Sequence, residues 1–143
     1  MHEFHGGCHC GNIHVVFSTV VEPEQATPRA CQCSFCRKQN TRAISDPQGR
    51  LVIRVRDNDE LGRYRFGLGS ADYLICRICG VYVGAFMRDP DDASGFATLM
   101  ASVLDVQDRY PAATPIDYEG ESADDKCNRR RARWTPAHLD VGS

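Results

Sequence analysis

The sequence predicts a mainly β fold of short antiparallel strands with one C-terminal helix. Three observations carry this. Apolar and polar residues alternate over short stretches, the period of a strand with one buried face. Turn-forming residues interrupt those stretches often. A helix-start signal followed by a sustained helical run occurs only near the C-terminus, over residues 122–133.

Taken in chain order, the first strand covers residues 11–20, where Ile13, Val15 and Phe17 alternate with Asn12, His14 and Val16. Ser34 can cap a single helical turn through Arg37, Lys38 and Gln39. Leu51, Ile53 and Val55 alternate with Val52, Arg54 and Arg56 as a second strand. Gly62, Gly67 and Gly69 bracket a strand over 63–66, and further strands are expected over 71–75, 82–86 and 96–103. Asp57-Asn58-Asp59 and Asp89-Pro90-Asp91-Asp92 are turn chemistry. Pro111 and Pro115 mark an irregular stretch before the helix. In the helix, Ser122 and Asp125 resemble a capping box, and Arg129-Arg130-Arg131 and Arg133 occupy the last turns, where cations suit the dipole. Glu119, Glu121, Asp124 and Asp125 lie just upstream, so the basic run reads as a solvated helix face rather than a nucleic-acid patch.

A length of 143 residues predicts a single domain spanning residues 1–143. Net charge is −2, which gives no general attraction to nucleic acid or an anionic membrane. No apolar run reaches the length of a membrane span. The first seven residues lack the basic and apolar regions of a signal peptide, and the expected location is the reducing cytoplasm.

In that compartment the cysteines are better metal ligands than disulfides. Seven of the 8 fall into three clusters: Cys8 with Cys10, Cys31 with Cys33 and Cys36, and Cys76 with Cys79. Zinc bound by thiolates takes four ligands in a closed structural site and three plus an open position in a catalytic one. Joining the two pairs makes a closed site, and the triad makes an open one, so two zinc ions are expected. Gly80 permits the sharp turn of a Cys-x-x-Cys-Gly knuckle, and Gly6, Gly7 and Gly11 permit the bend that Cys8 and Cys10 require. For the triad, a fourth protein ligand such as His5, His9 or His14 would close the site instead. Three thiolates on one divalent ion suit it to hold an incoming thiol as thiolate. Arg37, Lys38 and Arg42 follow the triad and are candidates to hold the carboxylates of an anionic thiol. Cys127 stands apart and reads as a helix-face or incidental thiol.

Gly7-Cys8-x-Cys10-Gly11, Cys31-x-Cys33-Ser34-x-Cys36-Arg37-Lys38-Gln39 and Cys76-x-x-Cys79-Gly80 together resemble the glutathione-dependent formaldehyde-activating enzyme family, which includes centromere-protein-V-like proteins. The resemblance implies a β-tent fold around a structural zinc at Cys8, Cys10, Cys76 and Cys79. It implies a catalytic zinc at Cys31, Cys33 and Cys36. The implied reaction is that of an S-(hydroxymethyl)glutathione synthase: glutathione adds to formaldehyde, formally a carbon–sulfur lyase run backwards. The residues identify no general acid or base. The rival reading is a non-enzymatic zinc-stabilised β module that binds a protein partner. The fourth position on the second metal discriminates between them: open for the enzyme, closed by a protein ligand for the module.

Overall fold

The computed structural model describes residues 1–89 and 94–142, in which eleven strands and two α-helices follow one another. Strands β1 (His2–Gly7) and β2 (Ile13–Thr19) form an antiparallel hairpin, with Gly7 opposite His14. Next come β3 (Arg29–Cys31), the short helix α1 (Ser34–Gln39) and β4 (Ala43–Ile44). Strands β5 (Arg50–Val55), β6 (Leu61–Tyr64), β7 (Asp72–Cys76), β8 (Tyr82–Arg88) and β9 (Ser94–Met100) make up the middle of the chain. It closes with β10 (Thr114–Ile116), helix α2 (Ala123–Arg133) and β11 (Thr135–Val141). No helix is long and apolar enough to cross a membrane.

The alternation read for β2 places its side chains as expected: Ile13, Val15 and Phe17 are buried, and His14 is exposed. Their β5 neighbours Leu51, Ile53 and Val55 lie opposite them in register and are buried as well. Each fully buried aliphatic side chain of this kind contributes roughly 1.5–3 kcal/mol relative to exposure. Strand β9 is where the sheet forks. One edge pairs with β8, while the other pairs with β11 from Ser94 to Ala97 and then with β4 at Leu99 and Met100. From there one branch runs through β11, β5 and β2 to β1, another through β4 and β3 to β10, and a third through β8 and β7 to β6. The main core fills the space between them, around Ile13, Leu51, Leu74, Phe86 and Leu99.

Several features depart from the expectations. The sheet is not wholly antiparallel, because β11 lies parallel to β5 and β10 parallel to β3. β11 follows α2 directly and enters the sheet between two earlier strands, burying Thr135, Ala137 and Leu139 on one face. Pro115 sits in β10 rather than in irregular chain; β10 is an edge strand, where a missing N–H is tolerated. β6 starts at Leu61, two residues before the expected strand, because Asp57 caps a short 3-10 turn over Asn58–Glu60 and pairing with Cys76 begins at once. The expected strand over 96–103 stops at Met100, since the Ala101 N–H turns away to the Arg42 carbonyl (2.8 Å). Of the expected turn at Asp89-Pro90-Asp91-Asp92, all but Asp89 lies outside the described residues.

Candidate metal centres and the adjoining cavity

The β1–β2 hairpin turn carries Cys8 and Cys10; Cys76 ends β7, and Cys79 lies in the turn to β8. The fold brings these four sulfurs within 4.8 Å of one another, with Cys8 and Cys10 3.8 Å apart and Cys10 and Cys76 3.5 Å apart. Sulfurs at the corners of a tetrahedron around zinc, each about 2.3 Å from the ion, are about 3.8 Å apart. The donor set and spacing therefore fit a closed thiolate site. Both turns are built for it. Gly80 has φ +80, in the left-handed region, and its N–H donates to the Cys76 carbonyl (2.8 Å). The Ile13 N–H donates to the Cys8 sulfur (3.2 Å). Gly6 completes the turn's approach to the core: a Cβ there would stand 2.0 Å from the Val103 carbonyl oxygen.

The second cluster is local. Cys31 ends β3, Cys33 precedes α1, and Cys36 lies within it; their sulfurs also fall within 4.8 Å of one another. The helix cap is Cys33 rather than the expected Ser34. Cys33 holds the extended conformation, and its sulfur accepts from the Cys36 N–H (3.4 Å). Asn40, at φ 53, ends the helix in the left-handed conformation. The Cys31 thiol is held down at about 5, first by the Cys36 thiol; against burial, the Cys33 N–H and thiol and the Arg129 charge act the same way. Cys36, which shares its proton with Cys31, moves up. Among the described residues, no His, Asp, Glu or fourth Cys joins the triad, and His5 faces His14 on the β1–β2 hairpin instead.

The triad opens onto a cavity of about 440 Å³. One wall is aromatic: Phe66, Tyr73 and Tyr82 line it, with Phe35 behind them edge-on to both tyrosines. Burial raises Tyr73 to about 12 and holds Tyr82 well above its ordinary value, so both phenols keep their protons at neutral pH. The other wall comes from the C-terminal segment. Ile116 pairs with Cys31, and its carbonyl accepts from the Gln32 N–H (2.9 Å), which brings Asp117, Tyr118 and Glu119 to the cavity mouth. Arg129 and Arg130 reach in from α2.

Of the three basic residues expected to serve an anionic thiol, Arg37 lines this cavity. Lys38 is exposed and outside the lining, and Arg42 donates to the Tyr110 and Gln107 carbonyls (3.1 and 3.2 Å). The basic run in α2 is not the uniformly solvated face the sequence predicts. Arg131 and Arg133 are exposed, but Arg129 pairs bidentately with Glu121 (2.8 and 3.0 Å) and stacks on Tyr118. Arg130 is only 5% exposed and lies over the Trp134 ring. Periodicity could have separated these positions only with the orientation of α2 against the sheet already known. Cys127 is half-buried beside Trp134, apart from both clusters.

The fold and its two thiol groups define a mainly β domain with two cysteine clusters able to bind metal, one closed on itself and one open to a cavity. The chain matches the model of the glutathione-dependent formaldehyde-activating enzyme family over residues 3–118, and it belongs to that family. A crystal structure of a Rhodobacter sphaeroides protein is similar at 26% identity, covering 85% of this chain and 94% of that one, with a TM-score of 0.49.

Proposed function

We propose that this chain is a single-domain, two-zinc carbon–sulfur lyase-type enzyme that binds a small thiol such as glutathione and joins it to formaldehyde as S-(hydroxymethyl)glutathione. One observation carries the reading: the Cys31–Cys33–Cys36 triad has no fourth ligand among the described residues and faces the cavity. Cys8, Cys10, Cys76 and Cys79 would hold the structural ion. An ion on the triad supplies charge that keeps a substrate thiol deprotonated at neutral pH.

The thiol's sulfur forms the new bond to the carbonyl carbon, the C=O π pair moves onto oxygen, and that oxygen takes a proton. Tyr73 and Tyr82 line the cavity as protonated phenols, suited to donate to this oxygen. Phe66 and the two tyrosine rings pack against one another as an aromatic wall on one side of the site. The chemistry suits a reducing compartment such as the cytoplasm, where the triad stays reduced.

Visible absorption of cobalt-substituted protein, before and after glutathione, tests this directly. Two tetrahedral thiolate signatures, one shifting with glutathione, are expected. A spectrum indifferent to every small thiol would overturn the thiol reading and leave the metal sites with a structural role.

A further inference from the structure

Among the described residues, Arg29 and Arg130 in the cavity wall form no ion pair with a carboxylate. Arg29 donates to the hydroxyls of Ser45 (2.7 Å) and Thr98 (3.1 Å), which carry no charge. Arg130 donates one Nη to the Ser70 hydroxyl (2.7 Å), and its Nε is buried with no partner. Arg129 next door is fully matched by Glu121. The acidic residues of the lining, Asp117 and Glu119, are exposed at the mouth, and neither forms an ion pair with Arg29 or Arg130 among the described residues. A guanidinium 5% exposed, with an orphaned donor and no ion-pair partner among the described residues, is costly unless something anionic completes it.

We propose that Arg130, with Arg29 beside the same cavity, takes a carboxylate of the ligand, so that the site selects anionic thiols over neutral ones. The proposal rests on the thiol-binding function above and assigns its specificity to α2, which lies beyond the family-matched residues 3–118. A planar guanidinium meets a carboxylate through its N–H donors; Arg130 spends one Nη on Ser70 and has its Nε enclosed, which leaves the other Nη, neither enclosed nor bonded among the described residues, to meet a carboxylate in the cavity. Arg37 is exposed at the cavity and adds attraction without the same geometry. The competing role for Arg130 is to offset the negative charge of the triad itself. That role predicts no preference for a charged ligand.

The chain's single tryptophan, Trp134, lies under Arg130 with the guanidinium carbon 4.7 Å from the ring centre, so its fluorescence reads this position. The metal-loaded protein is titrated with 3-mercaptopropionate and with its isosteric amide, following Trp134 fluorescence and heat of binding. The carboxylate should bind about 10- to 100-fold tighter, the size of a charge-assisted hydrogen bond. Arg130→Met should bring the ratio near one, Arg130→Lys should keep part of it, and the exposed Arg131→Gln should keep all of it. Equal affinities in the unaltered protein, or a ratio that survives Arg130→Met, would overturn the proposal. If Arg130→Met does not fold, the unaltered protein and Arg130→Lys decide it.

Cobalt absorption separates the two readings. Bands that shift equally with acid and amide keep the thiol function and refute the carboxylate role. Bands that shift with neither thiol, while 3-(methylthio)propionate still perturbs Trp134 through Arg130, keep the carboxylate role and refute the thiol function.

Discussion

Replacing Cys76 with Ser tests whether the closed cluster is the mechanical staple of the fold. Cys10 and Cys76 are 66 positions apart. Cross-linking a loop of that length removes about 4 kcal/mol of chain entropy from the unfolded state. Cys33 and Cys36, in contrast, are 3 positions apart. The same relation gives less than about 2 kcal/mol for that link. For 143 residues, 4 kcal/mol corresponds to a midpoint shift of roughly 14 °C, and 2 kcal/mol to about half that. Burial adds to the difference, since Cys76 is fully buried and Cys33 is not. Thermal unfolding by circular dichroism, with metal content measured on the same samples, checks this. Cys76→Ser should lose one ion and about 14 °C; Cys33→Ser should lose the other ion and no more than half as much. Equal losses, or a Cys76→Ser midpoint that does not move, would refute the assignment of the staple to the closed cluster.

Other outcomes are expected from the same structure. Gly80→Ala meets no atom within 4 Å, so its cost is purely the positive φ, about 1–2 kcal/mol, and should appear as a lower urea midpoint with an unchanged slope. Arg129 beside Glu121 holds that carboxyl below its ordinary value. A depressed carboxyl stabilises the fold above its unfolded-state pKa and loses that contribution as pH falls through the folded value. Glu121→Gln should therefore cost about 1 kcal/mol at neutral pH, a gap that closes in acid below the ordinary carboxylate range; a gap independent of pH counts against the ion pair. Tyr73→Phe should leave the melting midpoint within a few degrees but lower turnover about 10- to 100-fold if its phenol protonates the new hydroxyl. Unchanged turnover transfers that role to Tyr82 or to water.

The strands most clearly legible in the sequence were those whose alternation is enforced by one buried face, as in Ile13, Val15 and Phe17 against Leu51, Ile53 and Val55. The missed ones have other reasons to exist. β3 and β4 are 3 and 2 residues long, too short for a period to register. β1 carries glycines and histidines, and its pairing follows from the hairpin rather than from hydrophobicity. β11 alternates Thr135, Ala137 and Leu139, but its Pro136 and its place directly after a helix mask the signal. Its parallel partner β5 lies far upstream, and only packing of the assembled sheet selects such a pairing.

The sequence by itself determined the three short thiol clusters, because closely spaced ligands are a local property of the chain, whereas the meeting of Cys10 with Cys76 across 66 positions belongs to the tertiary structure. It also determined the Ser122 cap of α2, whose hydroxyl accepts from the Asp125 N–H at 3.1 Å. The tertiary structure decided what surrounds the triad. Adjacent arginines at 129, 130 and 131 are nearly indistinguishable as sequence, yet one is paired with Glu121, one is buried at the cavity and one is in solvent. Successive positions on a helix point about 100° apart, so their environments are set by what the helix lies against. α2 lies against β9, which is far upstream in the chain, and no local pattern encodes that contact.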